Sequence, residues 1–218
     1  MHARLSLVVA GAVAALATLP AAAAAQGPFE GVVTFQMTMG QQGNQSMQYS
    51  IKNGKARWDI STPGGEMFML LKDGGKTMDM VMPTRQMYME RANGDMAAKA
   101  DSAQTKLTWT GKKETIAGYE CEHATLTDQD GSPTDICLAK GLGVFVGMGG
   151  SPGGRGGMGA GGDWQGHLGE MFPLKVEHNG QVVLQATKVE KKSLDDSMFE
   201  VPSGFHKMSM PMGGRGGE

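Results

Sequence analysis

From residue 29 to residue 92 the chain alternates apolar and polar side chains with a period of two, which predicts strands with one buried and one wet face. In FEGVVTFQMTM, Val33, Phe35, Met37 and Met39 share one side, with Val32, Thr34, Gln36 and Thr38 on the other. In SMQYSIK, Met47, Tyr49 and Ile51 alternate with Gln48, Ser50 and Lys52, and Asn53-Gly54 then supplies a preferred two-residue hairpin turn. KARWDI sets Ala56, Trp58 and Ile60 opposite Arg57 and Asp59. After Pro63-Gly64-Gly65 comes EMFMLLK, in which Met67 and Met69 alternate. The run TMDMVMPTRQMYME keeps the phase: Met78, Met80 and Met82, a Pro-Thr-Arg corner, then Met87 and Met89.

The period changes over 93–104, NGDMAAKADSAQ. There Met96, Ala97, Ala100 and Ala103 recur at helical spacing, which predicts a small, weakly apolar helix. Strands resume in TKLTWTGKKETIAGYECEHATLTD and, after an Asp-Gly turn, in PTDICLAK. Residues 147–162 are a different material: ten of these sixteen positions are glycine, and so large an ordering entropy predicts a flexible insertion. A second short helix is expected around Trp164 to Met171. Asn179-Gly180 then turns PLKVEH into the long strand QVVLQATKVEKK. The pattern predicts about ten strands and one or two helices in a single mainly β domain over 26–208, with a disordered glycine-rich tail at 209–218. Taken alone, the pattern also allows a β-sandwich.

The first residues, MHARLSLVVAGAVAALATLPAAAAAQ, join a short basic segment to an apolar run and then to small residues around Ala23 to Ala25. This layout predicts a cleavable signal over 1–25, cut near Ala25, and a periplasmic mature protein. The apolar run falls short of the ~20 residues a membrane span needs. The formal charge of −2 gives no basic excess for nucleic acid. In an oxidising compartment Cys121 and Cys137, on either side of a hairpin turn, are expected to form a disulfide worth about 3 kcal/mol.

The closing block, FPLKVE…NGQ…ATKVEKKSLDDSMFEVPSGFHKM, resembles the C-terminal signature of the bacterial domain-of-unknown-function family 4412. KETIAGYECEHATLTDQDG is similar to that family's strand-turn segment, and YSIKNGKARWDI and KTMDMVMPTRQMYME to its hairpins. The likeness spans about residues 29–208. Members are exported proteins grouped with the lipoprotein carriers LolA and LolB. The resemblance therefore implies an antiparallel sheet curled into an unclosed half-barrel, with one or two helices across its concave face and an apolar cargo in the hollow. It supplies no catalytic residues.

The residues themselves carry no enzyme signature. There is no G-x-S-x-G and no Cys-His pair of catalytic type. His123, His167, His178 and His206 are scattered singly and read as solvated or structurally satisfied. Asp195-Asp196 reads as a capping or solvated turn. Gly154-x-Gly156-x-x-Gly159 matches a dinucleotide fingerprint only formally, because it neither follows a strand nor opens a helix. No catalytic residue, metal ligand or cofactor is predicted.

The methionines remain, 19 in the full chain. Thioethers suit Cu(I), and MTM, MFM, MDMVM and MSMPM have M-x-M spacing. Alternate residues of one strand, however, stand about 6.5–7 Å apart, too far to share an ion without help from neighbouring strands. That leaves MSMPM at 208–212 as the better chelator. Methionine also fills irregular space and re-packs around variable guests. The expected function is a non-enzymatic, exported carrier of a lipid or other apolar ligand. It would be lined by Phe35 and Met37, by Met47 and Tyr49, by Trp58, by Met67 and Met69, by Met78 and Met80, and by Met87 and Met89, beneath a lid contributing Met96. Its partners would be that ligand and membrane proteins of the envelope. The alternatives are a Cu(I)-binding envelope protein and an interaction module with a filled core.

Overall fold

The structure is a computed structural model that describes residues 28–38, 43–62, 65–73, 76–92, 106–127, 133–143, 145 and 171–208. The signal sequence, both expected helices (93–104 and 164–170), the glycine-rich insertion and the tail after Met208 lie outside the described residues. Six strands come first: β1 (Gly31–Thr38), β2 (Asn44–Lys52), β3 (Lys55–Thr62), β4 (Gly65–Lys72), β5 (Thr77–Met82) and β6 (Met87–Ala92). Five more follow: β7 (Lys106–Ile116), β8 (Tyr119–Thr127), β9 (Pro133–Lys140), β10 (Met171–His178) and β11 (Gln181–Lys191). A two-residue strand, β12 (His206–Lys207), comes last.

All twelve form one sheet in the order β12-β6-β5-β4-β3-β2-β1-β11-β10-β9-β8-β7. Each of the runs β1–β6 and β7–β11 is an antiparallel meander of sequential neighbours, and the pairing of β1 with β11 fuses them. Local turn chemistry makes the meanders. Asn53 and Gly54 sit at φ 50° and 76°, and Asn179 and Gly180 at 50° and 75°, the left-handed pair that a tight hairpin turn requires. The fusion depends on Gly31, where a β-carbon would meet the Glu190 carbonyl oxygen at 2.1 Å.

The sheet curls toward one face without closing. Tyr49 on β2 and Phe172 on β10 are three strand spacings apart in the sheet, about 14 Å if it were flat. Their ring centroids nevertheless lie 5.6 Å apart. Register shifts in the β1–β11, β10–β11, β9–β10 and β7–β8 pairs mark the irregularities that let the strands bend. The inner face carries the main core, from Val33, Phe35 and Tyr49 through Trp58 and Leu71 on one side to Ile136, Leu174 and Ala186 on the other. Leu142 and Phe145, just past β9, pack into the same core.

After β11 the chain crosses the outer face as a strap. Leu194 and Phe199 cover Val32, and Val201 and Phe205 pack against Phe68, Leu70 and Val81. Polar bonds fasten the strap along its length. Lys52 Nζ donates to the Leu194 carbonyl (2.5 Å), Leu194 N donates to Glu30 Oε1 (2.7 Å), and Arg57 Nη1 donates to the Met198 carbonyl (3.1 Å). The strap ends as β12, which pairs in parallel with β6.

The mainly β, unclosed architecture matches the expectation, and several details do not. A single sheet replaces the sandwich alternative. Among the described residues the strands number twelve, not about ten; one that the sequence did not suggest is β12, whose pairing with β6 joins residues far apart in sequence. The described residues contain no α-helix; their helical turns include short 3₁₀ segments at Pro83–Arg85 and Asp196–Phe199. Met171, the last residue of the second expected helix, begins β10, where Phe172 and Leu174 are drawn into the core.

Candidate functional site

The predicted lining residues that are described, all but Met96, share the inner face, and the register lines them up in rows across the sheet. Tyr49 is the partner of Trp58, Trp58 of Met69, Met69 of Met80, and Met80 of Met89. One step along the strands a second row holds Ile60, its partner Met67, and the pair Met82–Met87; the Phe68–Val81 pair places Met67 beside Met82. A third row runs from Ala56 through Leu71 and Met78 to Arg91.

These rows divide into two regions. Toward β1 and β2 the face is packed solid. Phe35, Met37, Met47, Tyr49 and Trp58 are buried, and Phe35, Tyr49, Trp58, Phe145 and Phe172 form a ring cluster with centroids 5.2–6.1 Å apart. Rings at these separations are in mutual contact and stabilise the core beyond their buried area. Within this region the Trp58 indole Nε1 is buried and has no hydrogen-bond partner among the described residues.

Toward β6 the face is sulfur-rich and open. Met69 is 1% exposed, whereas Met67, Met78, Met80, Met82, Met87 and Met89 are all half-buried. Met78 packs against the main core; Met67, Met80, Met82, Met87 and Met89 join none of the apolar clusters among the described residues. Met82 completes the second row although the predicted lining omits it; the alternation Met78–Met80–Met82 is the signal that places it there. Met96 lies outside the described residues.

Two polar arrangements invite comparison with this face. His123 on β8 is buried, with Nδ1 2.5 Å from Asp135 Oδ1 and Nε2 3.0 Å from Glu114 Oε2; Lys175 Nζ lies 3.7 Å from the same Glu114 oxygen. Here is the satisfied structural histidine that the sequence suggests. Glu114, His123 and Cys137 group closely enough to hold an ion, but the Cys137 sulfur is bonded to Cys121. The predicted disulfide thus removes the thiolate such a site would need. It ties β8 to β9 with its α-carbons 5.3 Å apart.

On the outer face a polar cavity of about 350 Å³ is lined by Ser46, Gln48, Arg57, Asp59, Ser61 and Glu66, among others. Arg57, the one cation among its described lining residues, is already committed. Arg57 binds both Asp59 oxygens (2.6–3.1 Å), donates to the strap and lies 3.8 Å over the Phe68 ring. Asp195 caps the strap's 3₁₀ turn by accepting from Ser197 N at 2.8 Å, and hydrogen bonding from the Ser197 side chain, together with that backbone bond, holds its carboxyl below the usual range. The capping role expected of Asp195 is therefore present.

A family model described as a domain of unknown function, DUF4412, matches residues 29–205. No curated relative matches the sequence. Among solved structures, an uncharacterized conserved protein from Thermus thermophilus is similar at 10% identity, with a TM-score of 0.51. That match covers 83% of this chain and 90% of the other, and it bears on fold alone. Slighter likenesses are to PNGF-II (16% identity, TM-score 0.46, 81% of this chain and 30% of that one) and MucB (15%, 0.34, 82% and 58%). Neither bears on function.

Proposed function

Since this chain belongs to the DUF4412 family, whose function its description leaves open, we propose from the geometry that it is an exported, non-enzymatic binding protein for an acylated or otherwise apolar molecule. The ligand lies against the open end of the inner face, along the two methionine rows of β4, β5 and β6. One observation carries this reading: five half-buried methionines stand side by side on one sheet face and join no core cluster among the described residues. A face meant only for fixed packing favours branched side chains with few rotamers. Unbranched, polarizable thioethers adapt to a guest of variable shape.

The filled aromatic region serves as the floor. It holds the sheet in its curl and leaves the β4–β6 end to receive the ligand, so Phe35, Tyr49 and Trp58 position the site instead of touching the cargo. Binding is driven by apolar area removed from water, about 25 cal/mol per Å², less the cost of ordering the chain and its guest. The signal-like first residues and the disulfide support export to an oxidising compartment. Exchange of such a cargo calls for partners at the envelope membranes.

The test is to purify the protein under mild conditions, extract it with organic solvent and analyse the extract by mass spectrometry. Acyl-bearing molecules at near-stoichiometric yield are expected, with the yield falling sharply for a Met80→Lys/Met89→Lys variant that keeps its fold by circular dichroism. An extract free of apolar molecules, from protein that also fails to bind a fluorescent fatty acid, would refute the reading.

A further inference from the structure

We infer that Met69, Met80 and Met89 form a binding site for a soft monovalent cation, Cu(I), distinct in chemistry from the apolar ligand site although it shares the sheet face. Along a single strand, alternate methionines are about 6.5–7 Å apart and their sulfurs do not converge. Across strands the geometry is different. Met69 is the register partner of Met80, and Met80 of Met89, so the three occupy one row on adjacent strands. Directly opposed side chains have β-carbons about 4.5–5.5 Å apart. Three rotatable bonds in each methionine let the sulfurs gather around one ion with the backbone fixed.

The donor set selects the ion. Three thioethers are neutral and soft, which suits Cu(I) and offers nothing to hard divalent cations that demand oxygen ligands. The acidic residues of these strands do not compete: Asp79 and Glu90 are register partners on the opposite face, and Glu66 alternates with Met67 on β4 and so lies on that opposite face as well. Burial grades along the row. Trp58, 3% exposed, is the next member inward of Met69, and Met69 itself is 1% exposed. Met80 and Met89 are half-buried. An ion therefore enters from the β6 end and meets an aromatic wall, a surface that attracts cations, at the inner end.

Anaerobic Cu(I) titration of the full chain against a chromophoric Cu(I) chelator tests the site. Met80→Leu nearly conserves volume and removes the central sulfur; affinity is expected to fall at least about tenfold. A variant with Met208, Met210 and Met212 all changed to leucine is expected to bind as the unaltered chain does. Met89→Leu repeats the test at the open end of the row if Met80→Leu lowers the urea midpoint. Three outcomes overturn the inference: no uptake by the unaltered chain, undiminished uptake by both row variants, or a loss confined to the tail variant. Fatty-acid binding measured on the unaltered chain keeps the two readings separate: a chain that binds palmitate but takes up no Cu(I) overturns this inference and leaves the apolar-ligand reading standing.

Discussion

Asp79 shows how far a residue's setting can depart from its sequence neighbourhood. It sits between Met78 and Met80 in an alternating run, on the face that a two-period pattern would leave wet, yet it is fully buried. Among the described residues its carboxylate accepts no hydrogen bond of ordinary geometry, and the like-charged Glu90 is its register partner. Lys72 Nζ provides the balancing charge. Removing one partner of such a pair leaves a buried charge uncompensated, whereas replacing both can be nearly neutral. Lys72→Met is expected to lower stability by about 1–3 kcal/mol, less than for a fully enclosed pair because Lys72 is partly exposed. The double variant Lys72→Met/Asp79→Leu should recover most of that loss. Urea midpoints decide, and an unchanged midpoint for Lys72→Met would contradict this account of the pair. The methionines beside Asp79 were legible because their phase is local. Its burial was not, because the strap that crosses this outer face and packs Val201 and Phe205 against Phe68, Leu70 and Val81 comes from more than a hundred residues away.

The element that supplies this cover is held at its far end by a small latch. His206 N donates to the Gln86 carbonyl (2.9 Å), Met208 N donates to the Tyr88 carbonyl (2.8 Å), and Lys207 Nζ donates to Glu90 Oε1 (2.7 Å). The bond from Lys207 holds the Glu90 carboxyl below its ordinary range, and the same bond raises the Lys207 ammonium above its own. The depressed carboxyl stabilises the latch above the ordinary glutamate range, and that support is lost as pH falls through its folded value. The raised ammonium contributes below the ordinary lysine range and is lost as pH rises through its folded value. Amide protection factors for His206 and Met208 should therefore be flat from weakly acidic to weakly alkaline pH and drop in acid. Glu90→Gln should remove the acid dependence, and an acid drop of the same size in that variant would exclude the latch. Elements set by local chemistry, such as the Asn53-Gly54 and Asn179-Gly180 hairpins, could be read directly from the sequence. β12 could not, because two polar residues in an apparent loop carry no strand pattern and their pairing is decided by where the strap lands.

For the whole molecule, the curl of the sheet decides which residues face a guest. Alternation identified one apolar face from β1 to β6, and the lining expected from sequence was drawn from its whole length, from Phe35 to Met89. The fold separates that face into a region covered by Phe145 and Phe172 and a region where sulfur remains half-exposed. No local pattern predicts this division, because Phe145 and Phe172 come from the other meander. The most direct test of the account is methionine-methyl NMR during titration with palmitate. The methyl signals of Met67, Met80, Met82, Met87 and Met89 should shift saturably, while those of Met37 and Met47 in the packed region stay put. Signals that all remain unmoved, or that move only at Met37 and Met47, would contradict the claim that the open methionine rows receive the ligand.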